Sequence, residues 1–60
     1  GFDEMIGREG IVVDEITPDK PGKIKVMGEL WNAYSDQVIP INTIVIIEKA
    51  DSFTLFVKPK

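Results

Sequence analysis

A small closed or partly closed antiparallel β barrel of five strands is the fold class this sequence predicts, on three observations. Roughly five short runs rich in β-branched and aromatic residues recur along the chain, Gly, Pro, Asn and Asp punctuate the intervals, and no window carries the 3.6-residue period of an amphipathic helix. Closure suits a chain of 60 residues, because it removes the unpaired edges that an open sheet would expose. A domain of this length buries only about 60% of the surface its unfolded chain exposes. With no cysteine and no histidine, neither disulfides nor the usual zinc sets can staple it.

Residues 1–6 form a leading segment with adjacent acids at Asp3 and Glu4 and no strand alternation, expected to be flexible. Residues 7–60 make the single folded domain. Gly7 and Gly10 precede Ile11-Val12-Val13-Asp14-Glu15-Ile16, a first strand whose glycines suggest a bend or bulge at its start. Thr17-Pro18-Asp19-Lys20-Pro21-Gly22 is dense in turn formers and ends that strand.

Lys23-Ile24-Lys25-Val26 alternates charged with β-branched residues, so the even positions point inward. Beyond Gly28 the phase changes: Trp31 and Ala33 carry the buried pattern. A two-residue hairpin turn makes this switch, since cross-strand partners then have an odd sum. Gly28-Glu29 as a type II′ turn needs positive φ only at Gly28 and sets Val26 opposite Trp31 and Ile24 opposite Ala33. Met27-Gly28 is the competing placement and needs positive φ at Met27. In either register Trp31 lies over its own hairpin, so Gly28, Trp31 and Ala33 read as structural anchors before Trp31 reads as a ligand contact.

Asp36 to Asn42 is too short for a regular helix and contains Pro40, which predicts a loop whose Val38, Ile39 and Ile41 plug one end of the core. Thr43 to Lys49 is the fourth strand, apolar on both faces through Ile44, Val45, Ile46 and Ile47. After a turn at Ala50-Asp51-Ser52, Phe53 to Val57 is the last strand, with Phe53, Leu55 and Val57 on one face. Phe56 is then an aromatic on the nominally polar face.

Ten acidic residues against seven basic ones give a formal net charge of −3, a balance opposed to phosphate binding. The longest apolar run, Ile44 to Ile47, falls far short of the ~20 residues that span a bilayer, so no membrane span lies in this chain. A start at Gly1 rather than Met suggests a domain excised from a longer protein. Without His or Cys, catalysis would fall to a Ser-Lys pair built on Ser35 or Ser52, and sixty residues offer little room for the pocket it needs. Asp3-Glu4 and Asp14-Glu15 are sequence neighbours; on a strand, neighbours face opposite sides. Neither a metal nor a cofactor is expected.

The pattern Gly-x-x-Gly-Ile-Val from Gly7, Pro-Gly-Lys-Ile-Lys-Val-x-Gly-Glu-Leu-Trp-Asn-Ala-Tyr-Ser from Pro21, Ile-Pro-x-x-Thr-x-Val-x-Ile from Ile39 and Phe-Thr-Leu-x-Val-x-Pro from Phe53 resembles the C-terminal soluble domain of NfeD-like proteins. The resemblance runs from Gly7 to Pro59, and its most specific part is Gly28 to Ala33. It implies a five-stranded OB-fold barrel, attached in the full-length protein to a membrane-spanning region on a side this sequence does not specify. It also implies partners of the stomatin or flotillin type and a link to regulation of membrane protease activity. Asn42 and Ser52 stand where such domains usually have turn glycines, and Ile44 and Ile46 occupy positions more often basic or polar in the family.

Ile44 and Ile46, together with Phe56, make the candidate interaction surface, as apolar residues on faces that alternation would leave outside. The competing expectation is that a loop or the leading segment covers them. The alternative function is an OB-fold module for single-stranded nucleic acid, with Tyr34 and Phe56 as stacking platforms and Lys23, Lys25, Lys49 and Lys58 as cations.

Overall fold

The alternation in the central hairpin is realised residue by residue. In a computed structural model that describes residues 2–60, Gly22, Ile24 and Val26 are buried and Lys23 and Lys25 exposed. Gly1, the first residue of the leading segment 1–6, lies outside the described residues. The strands are β1 (Glu9–Asp14), β2 (Gly22–Val26), β3 (Glu29–Tyr34), β4 (Ile44–Asp51) and β5 (Thr54–Pro59). They close in the order β1-β2-β3-β5-β4. The pairing of β3 with β5 is parallel and the others are antiparallel. This is the five-stranded OB barrel.

Each strand gives its inward set to one core: Val12 from β1, Ile24 and Val26 from β2, Ala33 from β3, Val45 and Ile47 from β4, Leu55 and Val57 from β5. Ile16 and Ile39 complete it from outside the strands. Two main-chain hydrogen bonds join them, Ile16 N to Ile39 O at 3.0 Å and Ile39 N to Ile16 O at 2.8 Å.

The hairpin turn is Met27-Gly28, not Gly28-Glu29. Both central residues have positive φ, 50° at Met27 and 82° at Gly28, the pattern of a type I′ turn, whose twist matches that of the flanking strands. Val26 therefore faces Glu29, Ile24 faces Trp31 and Gly22 faces Ala33. Left-handed backbone at a non-glycine residue costs about 1–2 kcal/mol. Two features offset it: the twist match, and a 2.9 Å contact in which Arg8 Nη1 donates to Met27 Sδ. Asparagine tolerates this conformation better than methionine. Met27→Asn is accordingly expected to raise stability by about 0.5 kcal/mol, seen as a higher urea midpoint with an unchanged m-value.

Other local expectations are corrected as well. The irregularity in β1 falls between Val12 and Asp14, inside the strand and not at Gly7 or Gly10, so that the chain bends where β1 crosses the start of β2. Of the three residues expected to plug the core, only Ile39 is buried; Val38 and Ile41 are exposed. Phe53 does not share the inward face of Leu55 and Val57. It sits in the β4–β5 turn at 73% exposure, because Ser52 adopts positive φ and β5 begins only at Thr54.

In the leading segment, Phe2–Met5 forms a 3-10 turn beside β4, with Met5 packed against the core. Gly7 N donates to Ile47 O at 2.7 Å and Ile47 N to Arg8 O at 2.9 Å, tying the segment's exit to β4.

Candidate functional site

Alternation on β4 sends Val45 and Ile47 inward and Ile44 and Ile46 outward. Ile44 is 41% exposed and lies opposite Ile11 of β1. Ile46 is half-buried, between Glu9 of β1 and Lys58 of β5. Two ion pairs border this strip, Lys60 Nζ to Glu9 Oε2 at 2.7 Å and Lys58 Nζ to Glu48 Oε2 at 3.6 Å. The strip is thus a narrow apolar seam between charges. A bulge between Ile47 and Lys49 and the Ile46–Lys58 pair separate it from Phe56, so the three candidate residues do not form one continuous patch.

Phe56 has other neighbours. The parallel register of β3 with β5 sets it beside Tyr34, and the antiparallel register of β4 with β5 sets it beside Lys49. The Tyr34 and Phe56 rings meet edge to face, 5.6 Å between centroids and 74° between planes. Lys49 Nζ lies 5.3 Å from the Phe56 centroid. Tyr34 is held by its hydroxyl, which donates to Pro18 O at 3.0 Å. Behind it Ser35 is buried and its Oγ accepts from Gln37 N at 3.1 Å.

Two grooves flank this aromatic ridge. One, of about 390 Å³, is lined by Pro21, Tyr34, Asp51, Ser52, Thr54 and Phe56. The other, of about 270 Å³, is lined by Tyr34, Ser35, Asp36, Glu48, Phe56 and Val57. A third groove, of about 300 Å³, is lined by Leu30, Trp31 and Phe53 among others. Leu30 and Phe53 were not among the residues selected from the sequence. Both occupy positions that alternation or turn chemistry alone would not mark as a pair, and the start of the β3–β5 pairing at Asn32 and Thr54 places them together.

Among the expected anchors, Ala33 is fully buried, Trp31 is half-buried against the core and Gly28 occupies the turn. Asn42 and Ser52 have φ of 75° and 53°, the left-handed backbone that a glycine would supply without strain. Asparagine is the non-glycine residue best suited to it.

The surface opposes the nucleic-acid reading. Tyr34 and Phe56 do come together, but carboxylates of Asp36, Glu48 and Asp51 line the grooves beside them, where a phosphate backbone would run. Lys58 has the Glu48 carboxylate 3.6 Å away, which offsets its charge at this surface. Lys23 and Lys25 project from β2, which lies two strands away from β5 in the barrel. Among the described residues there is no group of three or more His, Cys, Asp or Glu side chains able to hold a metal ion, and no helix long and apolar enough to cross a membrane.

Residues 2–59 match the family described as NfeD-like C-terminal, partner-binding domain. No curated protein sequence matches the chain. Solved structures that share its fold include the following three. The C-terminal domain of stomatin operon partner protein 1510-C from Pyrococcus horikoshii is 40% identical, with a TM-score of 0.88 over 100% of this chain and 94% of that one. The soluble domain of the NfeD protein YuaF from Bacillus subtilis is 27% identical, with a TM-score of 0.86 over 95% of this chain and 75% of that one. A Corynebacterium glutamicum soluble domain, from a membrane protein implicated in regulation of membrane protease activity, is 18% identical with a TM-score of 0.90 over 98% and 97%; at that identity the likeness concerns the fold alone. The family match over nearly the whole chain, carried by a five-stranded OB barrel, has one conclusion: this chain belongs to the NfeD-like C-terminal, partner-binding domains.

Proposed function

We propose that residues 7–60 are the non-catalytic docking domain of a longer, membrane-anchored NfeD-type protein, that the partner is a membrane protein of the stomatin or flotillin type, and that docking bears on membrane protease activity. The stomatin operon partner described for the Pyrococcus relative supports the partner class. The membrane protease regulation described for the Corynebacterium protein supports the process. The observation that carries the reading is the outward apolar seam of β4: Ile44 remains 41% exposed beside Ile46 in a domain whose inward positions are otherwise filled. Phe56 on β5 is a second, separate contact point, beside Tyr34 and Lys49.

Ile44→Lys with Ile46→Lys tests it. Because both side chains point away from the core, the double variant is expected to stay folded, losing about 1 kcal/mol or less. Its binding to a stomatin-type protein of the same organism, measured by surface plasmon resonance, is expected to fall at least about tenfold, as for a truncated interface anchor. Unchanged binding by a folded double variant would remove the seam from the docking face.

A further inference from the structure

The grooves beside the Tyr34–Phe56 ridge differ from the others in charge. Every ionisable side chain lining them is acidic: Asp51 in one, Asp36 and Glu48 in the other, apart from the tyrosine hydroxyl that is committed to Pro18. The Leu30–Trp31–Phe53 groove instead carries Lys23 with Glu29, and the groove over the β1–β2 connection carries Lys20 and Lys23 with Asp14 and Glu15. Among the described residues, Asp36 and Asp51 have no ion-pair partner. Glu48 has only the 3.6 Å pair with Lys58, in which both side chains are about half exposed, a contact weak enough to be shared or exchanged. Phe56 already attracts a cation, Lys49, as the quadrupole of an aromatic face does.

We propose that the Tyr34–Phe56 ridge and its two grooves dock a basic, extended segment of a protein partner, with Lys or Arg side chains entering the carboxylate-lined grooves and their stems resting on the rings. The charge of the grooves selects a cationic occupant, the aromatic ridge favours one whose charge sits on a long apolar stem, and Lys49 is the chain's own stand-in for it. This inference rests on the reading of the outer β4–β5 surface as a docking face.

The test uses the 60-residue chain and a fluorescein-labelled peptide with arginine at alternate positions and serine between, followed by fluorescence anisotropy at low salt. Asp36→Asn with Asp51→Asn is expected to weaken binding about tenfold. Asp3→Asn with Glu29→Gln changes net charge equally but lies away from the ridge, and is expected to leave affinity within about twofold. Phe56→Leu should weaken binding by removing the ring face, while Lys49→Gln should strengthen it several-fold by removing a competing cation. The single tryptophan reports that each variant is folded.

Equal weakening by the two charge-matched pairs would reduce the effect to net charge and overturn the proposal, as would a silent peptide or weaker binding by Lys49→Gln. Binding of oligo-dT or of phosphatidylcholine vesicles with no response to the peptide would overturn it in favour of a different occupant. Its failure is separable from that of the docking reading. A stomatin-type partner that depends on Ile44 and Ile46 while the peptide is silent keeps the face and removes the basic occupant. A peptide that behaves as expected while the Ile44/Ile46 variant binds its partner normally keeps the ridge and removes the apolar seam.

Discussion

Gly22→Ala is expected to destabilise the domain by about 3 kcal/mol or more, although it adds a single methyl group in a strand. Gly22 does not need unusual backbone torsions, so its role is not conformational freedom. A Cβ at this position would lie inside contact distance of backbone that cannot rotate away: the carbonyl oxygen of Asp14, the carbonyl oxygen of Glu15 at 2.5 Å and the Glu15 carbonyl carbon at 2.8 Å. The crowding arises because β1, after its irregularity between Val12 and Asp14, crosses over the start of β2. The facing residue is Ala33, so two small residues occupy the tightest point of the barrel. A chain of 60 residues has a total stability of about 3–9 kcal/mol, and the substitution is therefore expected to leave a large unfolded fraction without denaturant. Urea titration followed by Trp31 emission measures it; a midpoint equal to wild type would mean that the crossing strands separate without cost.

Ile39→Ala should cost about 3 kcal/mol, while Val38→Ala and Ile41→Ala should each stay within about 0.5 kcal/mol of wild type. Ile39 has no exposed surface, whereas Val38 and Ile41 are 63% and 53% exposed. The difference comes from the reciprocal main-chain bonds to Ile16, which fix the loop so that Ile39 alone points into the barrel end. Truncation there leaves a cavity under a tethered loop that cannot collapse to fill it. The same urea titrations check all three, and equal losses across the three variants would contradict the single-plug arrangement.

These positions mark the boundary of what the amino-acid pattern could specify. The hairpin in β2 and β3 was legible from Lys23 to Ala33, but its turn was not. Met27-Gly28 and Gly28-Glu29 both give cross-strand partners with odd sums, so both send Ile24, Val26, Trp31 and Ala33 to the same side. Side-chain alternation is blind to the choice. The matched twist of a type I′ turn and the need to set Ala33 against Gly22 under the crossing strand decide it. Likewise Ile44 and Ile46 could be assigned to one shared face because side chains along a strand alternate, but the exposure of that face and its separation from Phe56 by the bulge beyond Ile47 belong to the tertiary structure. Tyr34 and Phe56 are far apart in the chain, and only the parallel β3–β5 register makes them a ridge.

The sequence by itself determined the barrel class, the strands, the inward face of the central hairpin and the family signature around Trp31, because a period of two and turn-forming residues are local properties. Tertiary structure decided the register, which loop residue fills the barrel end, and which aromatic and acidic side chains share a surface. Those depend on backbone pairing between distant segments and on close approaches such as Asp14 over Gly22, neither of which is encoded in any one stretch of residues.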